Sequence, residues 1–180
     1  PQIYCHLLDN LASNGFSIYT PPFKYKNKDL LIDKLDKEYS EVILMGHSSG
    51  GTTAINFAKN KKIKKLILFD PVDTRFVNKE YRNKIHELEH LNSILFLNAA
   101  KSYNITFDPL GFPFIPILRI KPEIMKLKEK CKIVDIEAIK FGHCDILDLH
   151  YSNLMHKSRI AVGNNKRTFN QMNIYHDWVT

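Results

Sequence analysis

With 180 residues, 44% of them hydrophobic and 25% charged, the chain has room for one globular domain, and its 7 glycines and 8 prolines exclude collagen-like or linker-type architecture. No apolar run approaches the ~20 residues needed to span a bilayer, no basic-then-apolar leader is visible, and Cys5, Cys131 and Cys144, without metal-type spacing, read as reduced thiols of a cytoplasmic protein. The formal net charge of +7 comes largely from scattered lysines, which makes nucleic acid an unfavoured partner; the densest run, Lys59-Asn-Lys-Lys-Ile-Lys-Lys65, falls where a helix should end and its dipole favours cations.

In chain order, Ile3, Leu7, Leu8, Leu11 and Ala12 recur at helical spacing, and Asn14-Gly15 stops that helix. Residues 16–20 predict a short strand closed by Pro21-Pro22, and residues 29–38 a helix with Leu30, Leu31 and Leu35 on one side. The apolar run Glu41-Val-Ile-Leu-Met45 predicts a strand buried on both faces. A helix over 52–59, a strand over 66–69, a helix over 80–90 and strands over 94–97 and 132–136 follow. Helices over 144–156 and 169–179 complete the chain. Strands and helices alternating with short connections predict a single α/β domain over residues 1–180, a mostly parallel sheet with helices on both faces. Function in such folds gathers at the carboxyl ends of the strands.

Three strand ends carry chemistry. After the 41–45 strand comes Gly46-His47-Ser48-Ser49-Gly50-Gly51, a G-x-S-x-G pattern between strand and helix. A nucleophile on so sharp a turn needs small residues two positions to either side, which makes Ser48 the candidate nucleophile. His47 either lines the site or packs locally, and a Gly-rich anion-binding turn is the bland alternative for the whole segment. After the 66–69 strand comes Asp70-Pro71-Val72-Asp73, whose first carboxylate can orient a histidine or simply cap a turn. After the 132–136 strand comes Gly142-His143-Cys144-Asp145, with His143 placed to act as general base. The order Ser48, Asp70, His143 is that of an α/β-hydrolase triad.

Gly46-His-Ser-Ser-Gly-Gly51, Asp70-Pro-Val-Asp73 and Gly142-His-Cys-Asp-Ile-Leu-Asp148 resemble the three signature blocks of the chlorophyllase-like α/β-hydrolases, GHSRGG, DPVDG and GHMDMLD, and residues 7–16 resemble the helix and strand upstream of the serine. The resemblance implies an α/β-hydrolase fold and a carboxylesterase with a Ser48–Asp70–His143 triad, Asp73 being structural. Asp108, one strand later, is the rival acid. Ser49 stands in place of the family's Arg, Thr74 in place of Gly and Cys144 in place of Met. These differences argue against chlorophyll as the substrate and leave ester hydrolysis intact. The first strands of such a fold, and the loop that supplies one oxyanion-hole donor, are not among these residues, so the domain reads as N-terminally short or truncated, with the Ser49 N–H as the donor in hand.

The expected reaction is acyl transfer to Ser48 with His143 as base and then acid, requiring no metal or organic cofactor. Residues 105–118, rich in Phe, Ile and Pro, suggest a loop shaping a pocket for an apolar ester. The competing reading is a weak or inactive hydrolase homologue that serves as a binding module. Nothing in the sequence points to an oligomeric state.

Overall fold

The computed structural model describes residues 2–21, 27–72, 85–100, 106–107, 112–113, 124–157 and 177. Its elements in chain order begin with helices α1 (Cys5–Ser13) and α2 (Lys28–Glu38), strand β1 (Ile43–His47) and helix α3 (Gly50–Ala58). Strands β2 (Lys65–Phe69) and β3 (Ser93–Ala99), the two-residue strands β4 (Thr106–Phe107) and β5 (Phe112–Pro113), strand β6 (Lys132–Ala138) and helix α4 (Leu149–Lys157) follow, with 3-10 helices at Ile85–Leu88 and Met125–Leu127. Two compact units divide the chain: Tyr25–Asn98 with Pro116–Glu137, and Pro1–Lys24 with Ala99–Ile115 and Ala138–Thr180.

In the first unit the apolar runs at 43–47, 65–69, 93–99 and 132–138 form a four-stranded parallel sheet in the order β1-β2-β3-β6. This is an α/β protein. Because strand side chains alternate between faces, Leu66 and Leu68 of β2 and Ile94 and Phe96 of β3 share one face, and they cluster with Ile32 of α2 and Ala54, Ile55 and Ala58 of α3. Burial of the strands on both faces does not hold throughout. Ile67 and Leu95 are only half-buried, and β1, at one edge of this four-stranded sheet, leaves Met45 37% exposed. An uninterrupted apolar run cannot tell a covered flank from an open one. Toward the carboxyl ends, by contrast, consecutive residues are buried, from Leu68 through Val72 and from Phe96 through Ala99.

The lysine-rich run after α3 is answered by carboxylates. Lys59 pairs with Glu87 at 3.5 Å, Lys62 with Asp33 and Asp36 at 3.1 and 3.2 Å, and Lys65 with Glu41 at 2.8 Å. The two aspartates hold the Lys62 ammonium above the usual lysine range. Exposed pairs of this kind add little stability, but they make the run part of a mixed-charge surface. No helix among the described residues is long and apolar enough to cross a membrane. Of the three cysteines, Cys131 and Cys144 are buried and Cys5 is exposed.

In the second unit, α1 has no capping side chain of its own at Tyr4. Its first N–H groups are taken instead by a residue more than 140 positions away. The Asp148 carboxylate accepts the Cys5 and His6 N–H groups, both at 2.9 Å, while the Asp148 N–H donates to the Ile3 carbonyl at 2.9 Å. Asp148 also begins α4, its carbonyl accepting the Ser152 N–H at 3.0 Å. One carboxylate thus caps one helix from the start of another, with its charge at the positive end of the α1 dipole.

Several sequence expectations fail for identifiable reasons. Residues 16–20 form no strand, and Phe16, Ile18 and Tyr19 are exposed. A strand exists only through pairing, which local β-propensity cannot supply. In the 80–90 segment, 80–84 lie outside the described residues and the rest holds only the 3-10 helix Ile85–Leu88. The Lys64 carbonyl takes the Asn92 and Ser93 N–H groups at 2.8 and 3.3 Å and draws the chain into β3. The helix expected over 144–156 starts only at Leu149, because residues 143–146 form a turn. Within the stretch read as an irregular loop, β4 and β5 pair antiparallel, Phe107 opposite Phe112. Asp73, Thr74 and Asp108, and the helix expected over 169–179 apart from residue 177, lie outside the described residues.

Two outcomes follow for stability. Asp148→Ala removes a two-bond cap and should lower the unfolding free energy by about 1–2 kcal/mol in urea melts, with Asp148→Asn costing less; coincident midpoints would refute the cap. Burial, helped by the neighbouring Cys144, pushes the Tyr4 phenol up from 10.0 to about 12. The folded state therefore favours the protonated phenol. That contribution is complete below pH ~10 and is lost as pH rises toward ~12. Between pH 9 and pH 11 the wild type should lose about 1 kcal/mol more than Tyr4→Phe; parallel stability curves would contradict this.

Candidate active site

Strand β1 ends at His47, helix α3 begins at Gly50, and Ser48 turns the chain between them with φ +56°. An L-residue adopts this left-handed conformation only when its surroundings impose it, at a cost of about 1–3 kcal/mol. Here three backbone hydrogen bonds impose it. The Ser48 N–H donates to the Phe69 carbonyl at 3.1 Å, and the Ser48 carbonyl accepts the N–H groups of Gly51 at 3.0 Å and Val72 at 3.1 Å. Ser48 is half-buried and Ser49 exposed. Ser49 occupies the N-cap of α3, where its carbonyl accepts the buried Thr52 hydroxyl at 2.6 Å and its N–H lies at the positive end of the helix dipole.

The glycines around Ser48 are not equivalent. A Cβ on Gly46 would lie 2.6 Å from the Gly50 carbonyl oxygen and 2.9 Å from the Ala54 Cβ, so β1 and α3 meet there at backbone contact. A Cβ on Gly51 would lie 2.7 Å from the Pro71 Cβ. A Cβ on Gly50 would meet nothing within 4 Å outside its own helix backbone and chain neighbours. The expectation that both outer glycines of G-x-S-x-G are sterically required is corrected: Gly46 and Gly51 are, and Gly50 is not.

Asp70 follows β2 as Ser48 follows β1. The register pairs His47 with Phe69 and Phe69 with Leu97, so Ser48, Asp70 and Asn98 stand side by side, one step past the paired ends of adjacent strands. The bond from the Asp70 N–H to the Leu97 carbonyl, 2.8 Å, and that from Ser48 to Phe69 carry the parallel ladder one rung further. Neighbouring strands run roughly 5 Å apart, which makes Ser48 and Asp70 close neighbours. Asp70 too has a positive φ, +39°, and is 5% exposed. Asn98, buried, donates from Nδ2 to Asp135 Oδ1 at 2.7 Å and ties β3 to β6 near this edge. Sequence reasoning missed Asn98; its signal was a lone polar residue at the end of an apolar strand.

His143 belongs to the second unit, in the loop after β6. The Phe141 N–H donates to the Ala138 carbonyl at 3.2 Å, and the turn carrying His143 is closed by the Asp145 N–H on the Gly142 carbonyl at 3.1 Å. His143 is half-buried. The Asp145 side chain is fully buried. Its Oδ2 accepts the Gly142 N–H at 2.8 Å and its Oδ1 the Ser152 hydroxyl at 3.3 Å. Ser48, Ser49 and Asp70 are therefore brought together at one sheet edge, with His143 on a braced turn of the other unit.

A shallow hollow of about 520 Å³, lined by Glu89, His90, Asn92, Lys128, Lys130 and Lys132 among others, lies at the amino ends of β3 and β6, the opposite edge from Ser48. Ser48, Ser49, Asp70 and His143 are not among its lining residues. No protein-family model matches the chain, and no curated protein or solved structure matches it significantly.

The glycine geometry makes a sharp prediction. Gly46→Ala and Gly51→Ala should each destabilise the fold by about 1–3 kcal/mol through overpacking, whereas Gly50→Ala should stay within about 0.5 kcal/mol of wild type or gain slightly. Thermal melts of the three variants check this, and equal effects at Gly46 and Gly50 would contradict the contact assignment.

Proposed function

We propose that this protein is an α/β-hydrolase of the chlorophyllase-like kind, a serine hydrolase that cleaves an apolar carboxylic ester through Ser48, His143 and Asp70. The observation that carries the reading is the left-handed Ser48 between β1 and α3, with Gly46 packed against the Gly50 carbonyl. A serine on a strained strand-to-helix turn is the arrangement that presents a nucleophile above a sheet. The buried Asp70 beside it on the next strand, and a histidine after the last strand, support the same reading.

In this mechanism His143 takes the Ser48 hydroxyl proton as the Oγ attacks the ester carbonyl carbon. The carbonyl oxygen becomes an oxyanion, to which the Ser49 N–H donates at the amino end of α3. The tetrahedral adduct collapses, the bond to the alcohol oxygen breaks, and His143 returns the proton to the leaving alkoxide. A water molecule, deprotonated by His143, then attacks the acyl-Ser48 carbonyl and releases the acid with Ser48 restored. Asp70 orients the imidazole and stabilises its cationic form. Phe107 and Phe112, opposite one another in the β4–β5 hairpin, belong to the stretch whose composition favours an apolar ester.

The test is covalent labelling with a fluorophosphonate, read by intact mass and peptide mapping. One adduct per chain at Ser48 is expected. Ser48→Ala should abolish it, and His143→Ala should slow it by about 10²–10⁴-fold. A nitrophenyl ester series of increasing acyl length should then show rising kcat/KM. Folded protein that takes no label would sink the proposal.

A further inference from the structure

We infer that Asp145 is a positioning residue for His143, its buried carboxylate setting where the imidazole can reach; the inference rests on the hydrolase reading above. A carboxylate with no solvent exposure is expensive to desolvate and persists where its oxygens are well used. Both Asp145 oxygens accept hydrogen bonds, one from the turn that carries His143 and one from α4. Oδ2 accepts the N–H of Gly142, immediately before the histidine, and the Asp145 main-chain N–H donates back to the Gly142 carbonyl. Residues 142 and 145 are thus joined twice, with only His143 and Cys144 between them. The His143 backbone is left little freedom, and its side-chain torsions remain the main variables.

The second oxygen gives the turn an external reference. Oδ1 accepts the Ser152 hydroxyl of α4, and the Ser152 N–H donates to the carbonyl of Asp148, which caps α1. The His143 turn is therefore indexed to two helices rather than to a free loop. A general base displaced by about 1 Å can lose on the order of 10²-fold in rate, so a device that holds the turn acts on turnover without touching the substrate.

The experiment measures fluorophosphonate inactivation against probe concentration, pH and time, on full-length wild type, Asp145→Ala, Asp145→Asn, Asp145→Glu and Ser152→Ala. Wild-type labelling at Ser48 tests the hydrolase reading by itself, and its failure would remove both claims. With labelling present, Asp145→Ala should cut the maximal inactivation rate by about 10–100-fold. The half-saturating probe concentration should hold, and labelling should still reach one adduct per chain. An unfolded fraction would instead lower the end point. Asp145→Asn can offer its oxygen to Gly142 and its amide to Ser152, and should return the rate to within about 3-fold of wild type with an unchanged pH profile. Ser152→Ala keeps both bonds to Gly142 and loses only the link to α4, so its rate should fall between those of wild type and Asp145→Ala. If Asp145→Ala does not fold, Asp145→Glu carries the test: it keeps the carboxylate but shifts the turn, and should be slow. Rates that are equal for wild type and the Ala or Glu variant, or an Asn variant as slow as Ala, would overturn the inference.

Discussion

The left-handed backbone at Ser48 is the constraint on which the sheet edge depends. Such a conformation is disfavoured for any side-chain-bearing residue, and here it is held by bonds to Phe69, Gly51 and Val72. Those bonds come from β2, from the first turn of α3 and from the segment after Asp70. They are possible only because α3 approaches β1 closely enough for its Gly50 carbonyl to occupy the space of a Gly46 side chain. Pro71 against Gly51 closes the same contact from the other side. The strain at one residue is thereby spread over three elements that the core already packs together, and Ser48 and Asp70, the non-glycine residues of positive φ among the described residues, each follow one of two neighbouring strands.

Parallel pairing converts this local geometry into an alignment. In a parallel sheet all carboxyl ends face one way, and the His47–Phe69–Leu97 register puts Ser48, Asp70 and Asn98 in a row. At the ends of β2 and β3 consecutive residues are buried, whereas earlier in those two strands burial alternates. The Asp70 and Asn98 side chains are thus held in surroundings where water competes weakly. The Asn98–Asp135 bond fixes the far side of the row across to β6.

The Gly142-His-Cys-Asp-Ile-Leu-Asp148 block shows the same economy. Two aspartates three positions apart perform different jobs. Asp145 turns its carboxylate inward on its own turn and on Ser152, and Asp148 turns outward to the start of α1. Side chains of this type compete with backbone for N–H groups, which is why the helix predicted from 144 onward begins only at Leu149. The competition leaves His143 on a short braced turn instead of directly ahead of a helix.

The sequence by itself determined the α/β class, the location of the four sheet strands, the strand–turn–helix setting of Ser48, and the chain order of Ser48, Asp70 and His143. Each follows from local pattern: apolar runs, glycine spacing and turn residues. It also placed the lysine-rich run at the end of α3. It did not distinguish the glycine that a contact requires, Gly51 beside Pro71, from the one that none requires, Gly50, because a missing Cβ matters only where another element approaches. It made residues 16–20 a strand, which pairing did not ratify, and it assigned no role to Asp145, Asp148 or Asn98. Those roles were decided by tertiary structure alone. A side chain's partner more than 140 residues away, like the cap from Asp148 to Cys5 and His6, leaves no trace in the local periodicity of either segment.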